Sequence, residues 1–165
     1  MSQRVIEDYQ GKKHSVDCIG CFLSGLGKDV PGYVLVTENF HAHQDFEIPI
    51  PGFIILSTRR HIKSLEQFTD MEAAEFIQML RKIRRAQQEV LGIETVYLIQ
   101  EEDSKDHFHM WMLPRYPWME DEKKFGRKVS SARPVLEYAA KFMKTSENIA
   151  KANEATEKLR QYLEC

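Results

Sequence analysis

Two short runs in this chain hold residue types whose spacing suits chemistry. Cys18-Ile19-Gly20-Cys21 sets two thiols three positions apart, and His107-Phe108-His109 sets two imidazoles two apart. With three cysteines and six histidines in 165 residues, random placement gives about 0.05 such cysteine pairs and about 0.2 such histidine pairs. Both are therefore candidates for a site. In a reducing compartment a cysteine pair is more often metal-binding or redox-active than a disulfide. Two thiolates make half of a tetrahedral structural zinc site, and histidines are the natural source of the other two ligands. The alternative is two reduced, buried thiols. Cys165, at the C-terminus, needs no role. On a strand, His107, His109 and Trp111 share one face and Phe108, Met110 and Met112 the other. The second face suits a core. Two imidazoles about 6.5–7 Å apart on the first are too costly to bury without partners, so that face suits a site, the alternative being surface histidines paired by chance.

These residues need elements to hold them. Residues 33–37 are β-rich, Glu38-Asn39 can turn, and residues 40–46 can return as a second strand. Pro49-Ile50-Pro51-Gly52 cannot continue a central ladder, because two of its residues lack an N–H, so it leads into a third strand at 53–57. Thr69 or Asp70 can cap a helix in which Phe76, Met79, Leu80, Ile83, Ala86 and Val90 recur at helical spacing until Gly92. Residues 95–99 and 107–113 read as fourth and fifth strands around an acidic loop at 101–106, and Pro114 and Pro117 end the pattern. Ser131 can cap a further helix with Pro134 in its first turn. From Lys144 the chain is polar and helix-prone, with Leu159, Tyr162 and Leu163 apolar near its end. This order predicts an α+β fold, a five-stranded antiparallel sheet with helices on one face. The domain spans residues 17–120, preceded by a flexible, aperiodic segment at 1–16 and followed by a C-terminal helical extension at 121–165.

Hydrophobic residues make up 42% of the chain, enough for a core, and 23 Lys and Arg against 25 Asp and Glu leave a net charge of -2. That balance argues against binding nucleic acid by bulk electrostatics and leaves a small anionic ligand open. Arg81, Lys82, Arg84 and Arg85 share their helix with Glu72, Glu75 and Glu89, which reads as a solvated face. No apolar run nears the ~20 residues that cross a bilayer, and no secretory signal opens the sequence. A soluble, cytoplasmic protein with no membrane partner is expected.

From Cys18 to about Arg115 the sequence resembles the histidine triad (HIT) superfamily of nucleotidyl hydrolases and transferases. That family carries His-φ-His-φ-His-φ-φ, with φ apolar, before Pro-Arg, and this chain reads His107-Phe108-His109-Met110-Trp111-Met112-Leu113-Pro114-Arg115. The CxxC pair, Asp45 ahead of the Pro51-Gly52 strand start, and Arg59-Arg60-His61-Ile62 after that strand fall in family order. The resemblance implies a structural zinc on Cys18, Cys21, His61 and His107, and a nucleophile at His109 that forms a nucleotidyl-histidine intermediate. It suggests Ser104 as a phosphate contact, an exposed loop serine being the alternative, and Asp45 as the ribose-binding residue, a turn former being the alternative. His43, with His41 beside it, would line the nucleotide cleft or simply a polar rim. Phe22, Phe40 and Phe46 would form a base-stacking wall or plain core, and Trp111 would face the nucleotide from the third triad position. An indole cannot take up a proton there, and the loop at 100–106 holds four acidic residues where typical hydrolases have a glycine-rich phosphate loop. The expected function is hydrolysis or nucleotidyl transfer on nucleoside phosphoric anhydrides, esters or phosphoramidates, such as diadenosine polyphosphates, by a homodimer. The alternative is a zinc-stapled nucleotide-binding module with little or no turnover. A catalytic zinc on His41, His43 and a carboxylate would lack HExxH-type spacing.

Overall fold

The computed structural model describes residues 4–8, 10–102, 107–125 and 131–164. In chain order the first elements are β1 (Arg4–Glu7), β2 (Lys13–Val16), α1 (Ile19–Leu26), β3 (Tyr33–Val36), β4 (Phe40–Gln44), β5 (Ile54–Thr58) and α2 (Asp70–Leu91). They are followed by β6 (Val96–Ile99), β7 (His109–Pro114), α3 (Glu122–Phe125), α4 (Ala132–Phe142) and α5 (Ser146–Glu164). The main sheet runs β3-β4-β5-β7-β6 with every pairing antiparallel, as the sequence leads one to expect. All residues of β4 and β5 are buried, which marks a sheet covered on both faces.

Phe40, Ala42, Ile54, Leu56 and Met112 point to one face and meet Phe76, Met79, Ile83 and Ala86 of α2 and Leu159 of α5. Thr69 caps α2 in a reciprocal capping box with Glu72, and Gly92 ends it in the left-handed conformation. The central helix α2 lies on one face as expected, and α4 of the C-terminal extension covers the other. Phe53, Ile55 and Leu113 point the other way and pack against Val135 and Ala139 of α4. Both alternating sets on β5 and β7 are largely apolar, so both faces demand cover.

Residues 4–7 and 13–16, within the segment expected to be flexible, form strands. β1 and β2 pair as an antiparallel hairpin, and Ile6 and Val16 are buried against Leu23, Val30 and Phe46. The Asp8 carboxylate accepts from the backbone N–H of Gln10 (3.0 Å) and Lys12 (2.9 Å) and from Nε2 of His14 (3.1 Å). The His14 ring in turn sits 5.3 Å from both Phe22 and Phe46. β1 and β2 each bury one residue and are otherwise mostly polar or charged, which is why the sequence reads as unstructured there. Among the described residues no helix is long and apolar enough to cross a membrane.

Ile6→Ala should destabilise the protein by roughly 2–4 kcal/mol, as for other buried large-to-small changes, read from the urea midpoint. A loss below about 0.5 kcal/mol, the ordinary range for surface positions, would return this segment to the flexible lead-in.

Candidate functional site

Cys18 caps α1, and its Sγ accepts from the Cys21 N–H at 3.5 Å, so the loop-to-helix turn aims both sulfurs the same way. They point at two imidazoles from distant segments. Cys18 Sγ lies 3.5 Å from His61 Nδ1 and 3.8 Å from His107 Nδ1, and Cys21 Sγ lies 3.1 and 3.5 Å from the same atoms. All four ligand atoms fall within 4.8 Å of one another. A tetrahedral zinc with its usual S and N bond lengths has sulfur-to-nitrogen edges of about 3.6 Å, so the cluster has the size and donor chemistry of a Cys2His2 centre.

The surrounding hydrogen bonds prepare these ligands. His107 Nε2 donates to the Thr58 carbonyl at 2.7 Å, which leaves Nδ1 bare toward the sulfurs. Burial lowers the His107 pKa, reinforced by His61 and His109 and opposed by the bond to Thr58, and this keeps the ring neutral as a ligand must be. Partial desolvation, and after it Cys18, pushes the Cys21 thiol up to about 11, a cost that a dication reverses. The His61 segment is tethered on both sides. Arg60 donates to both Glu72 carboxylate oxygens (3.1 and 2.8 Å), and the Phe108 N–H donates to the Ile62 carbonyl at 2.6 Å. Gly20 is required here, since a Cβ at that position would overlap the His107 ring and lie 2.8 Å from its Nδ1.

A cavity of about 250 Å³ opens beside this cluster on the α1 side of the sheet. Strand register arranges its floor in rows. His41 pairs with Ser57 and Ser57 with His109, while His43 pairs with Ile55 and Ile55 with Trp111. All six residues line the cavity, together with Asp45, Phe46, His107 and the exposed Glu101. His109 Nδ1 donates to the His107 carbonyl at 2.8 Å, a bond that selects the tautomer with Nε2 as the acceptor nitrogen. His43 follows the same pattern, with Nδ1 donating to the Gln44 carbonyl at 2.7 Å. Burial lowers the pKa of His43 to about 4 and that of His41 to about 3, with His43 and His107 adding to the effect on His41. Both rings are neutral at pH 7.

Asp45 accepts from the Glu47 and Ile48 N–H groups through Oδ1 at 2.9 and 2.7 Å, so the turn-forming role is present and Oδ2 takes no part in it. Burial raises its pKa to about 7 against the pull of these bonds and of Lys144. Phe46 lines the cavity, whereas Phe22 packs on His14 in the cluster under the N-terminal hairpin. Phe40 is in the opposite core, because it alternates with His41. Trp111 sits 5.8 Å from the His109 ring and edge-on to Phe53. Ser104 lies outside the described residues. Sequence reasoning missed Gly20, Ser57 and Arg4 as lining residues. Ser57 had a signal, a small polar residue closing the apolar run from Phe53 to Leu56.

No family model matches the chain, and no curated protein matches its sequence. Solved structures do match its fold. A zinc-bound histidine triad family protein from Mycobacterium smegmatis shares 17% identity over 90% of this chain and 94% of its own, with a TM-score of 0.58. A HIT family protein from Bacillus subtilis gives 20%, 87%, 96% and 0.55, and a Hit-like protein from Bartonella henselae gives 14%, 88%, 96% and 0.59. The class is thus an α+β domain with a Cys2His2 cluster at one end of its sheet. More specifically, the fold is that of the histidine triad proteins.

Two expected outcomes test the site. The purified protein should contain one zinc per chain by elemental analysis, and Gly20→Ala should lower zinc occupancy and melting temperature together; zinc below about half an equivalent in wild type would refute a resident metal. Asp45 should leave a pH signature. Its folded carboxyl holds a proton up to about pH 7, whereas an unfolded Asp releases it near 4. Folding therefore takes up a proton between these values, and this contribution to stability falls as pH rises. Asp45→Asn should remove that fall, gaining on wild type between about pH 4 and 7 in urea midpoints. A parallel pair of curves would contradict the raised pKa.

Proposed function

We propose that this protein is a histidine triad hydrolase or nucleotidyl transferase that acts on nucleoside phosphoric anhydrides, esters or phosphoramidates through a nucleotidyl-histidine at His109. The observation that carries the reading is the His109 ring itself. Its Nδ1 is committed to the His107 carbonyl, and the ring lines a cavity that also holds Asp45, His43 and Phe46.

The chemistry follows from that ring. The Nε2 lone pair attacks the α-phosphorus, the bond to the leaving oxygen or nitrogen breaks, and its electron pair departs with the leaving group. The Nδ1–H bond to the carbonyl supports the positive charge that develops on the ring. Water then attacks the phosphorus, the P–N bond returns its pair to Nε2, and the water proton passes to solvent. Asp45 Oδ2 and His43 Nε2 are acceptors for ribose hydroxyls, and Phe46 is an apolar wall for the base. Trp111 cannot act as a titrating acid, which favours anhydrides, whose phosphate leaving groups depart as anions, over phosphoramidates. A zinc on Cys18, Cys21, His61 and His107 would supply a cross-link and no open coordination position. It would hold His107, and so the carbonyl that orients His109. The exposed edge of β6, with Tyr97 and Leu98 outward, supports the homodimer that the resemblance implies. Cys18 and Cys21 as free thiols suit a cytoplasmic setting.

Trp111 and Glu101 on the cavity wall favour the second reading, a zinc-stapled nucleotide-binding module with little turnover.

Wild type and His109→Asn should bind AMP alike, while release of nucleoside monophosphate from a dinucleoside polyphosphate falls by about a thousandfold or more in the variant. Trp111→His should raise turnover of a nucleoside phosphoramidate more than that of the anhydride. Equal rates for wild type and His109→Asn would favour the binding module.

A further inference from the structure

His41 is a buried imidazole that the fold itself does not use. It is 1% exposed, and among the described residues neither of its ring nitrogens has a hydrogen-bond partner. Buried polar groups are ordinarily paired, and an unpaired one destabilises the structure that holds it. An apolar residue would suit the empty protein better. His41 nevertheless lines the cavity, and its ring is held by stacking on His43, with centroids 5.4 Å apart and planes 11° from parallel.

Register gives it a task. His41, Ser57 and His109 form one row across β4, β5 and β7, so the two histidine backbones stand about 9.5 Å apart, two strand spacings. Between them is only the short side chain of Ser57, whose hydroxyl donates to the Phe108 carbonyl at 2.7 Å and so is already engaged. His41, Ser57 and His109 all line the cavity, so a phosphoryl group brought to His109 over Ser57 would face His41. Arg4 is the single Lys or Arg among the described lining residues, and Asp45, Glu47 and Glu101 line the same cavity, so neutral donors matter for holding an anion there.

We propose that His41 is a phosphoryl ligand, donating its ring N–H to a non-bridging oxygen of the group that His109 attacks, from the opposite side of the gap over Ser57. The nature of that group as a nucleotide rests on the function proposed above; the anion site does not. A neutral imidazole carries one N–H whichever nitrogen bears it, and an acceptor-only phosphoryl oxygen is its complement.

Zinc-loaded wild type, His41→Phe and His41→Asn should be titrated calorimetrically with adenosine, AMP and pyrophosphate. His41→Phe keeps the stacking ring and should weaken AMP and pyrophosphate by about 10- to 100-fold, leave adenosine unchanged, and melt at or above the wild-type temperature without ligand. His41→Asn keeps a donor and should recover part of the affinity; it decides the matter should the phenylalanine variant fail to fold. Unchanged AMP binding in both variants would overturn the proposal and leave the nucleotide reading standing. An equal loss for AMP and adenosine would overturn it too, because the contact would not be to phosphate. Pyrophosphate binding that depends on His41, in a protein that binds neither AMP nor adenosine, would support the anion site and refute the nucleotide reading. A wild type that binds none of the three refutes both.

Discussion

Four ligand atoms within 4.8 Å of one another tie together three segments, and the outermost ligands, Cys18 and His107, are 89 residues apart. Much of the site depends on that convergence. It seats α1 over the end of the sheet, where a side chain at position 20 would meet the His107 ring. It sets His107 between the cluster and the Thr58 carbonyl, and the His107 backbone carbonyl then sets the tautomer of His109. The Cys2His2 cluster and His109 are thus two residues apart along the chain, so disturbance of His107 reaches His109 through a single hydrogen bond.

The period of two along the strands does the rest. It sends Phe40, Ala42 and Met112 to α2 and sends His41, His43, His109 and Trp111 to the cavity. Because β4, β5 and β7 are in register, residues far apart in sequence become neighbours in rows, and the smallest residue on that floor, Ser57, falls between the two histidines His41 and His109. Loss of one residue of register would exchange core and site completely.

Much of this was legible in the sequence. CxxC and HxH carry their meaning in residue type and spacing, and the five strands and α2 announce themselves by period, breakers and caps. His61 was reached through resemblance, since nothing local distinguishes it. Other features depend on tertiary packing. β1 and β2 hold together by burying Ile6 and Val16 against Phe46 and by the Asp8 turn, contacts that two strands of mostly polar residues do not advertise. α4 covers the same face as the site because Phe53, Ile55 and Leu113 need cover there, although its own sequence names no partner. Phe22 and Phe46 look equivalent as aromatics, but only Phe46 reaches the cavity. The state of His41, buried and unpaired, is a property of the folded cavity and has no trace in the residues around it.

The most direct test is to catch the intermediate. Wild-type protein mixed with a dinucleoside polyphosphate, quenched in base to preserve a P–N bond, and measured by intact and peptide mass spectrometry should carry one nucleotidyl group on the peptide that contains His109. Nucleotide products without any adduct, or an adduct on another histidine, would contradict the assignment of His109 as the nucleophile.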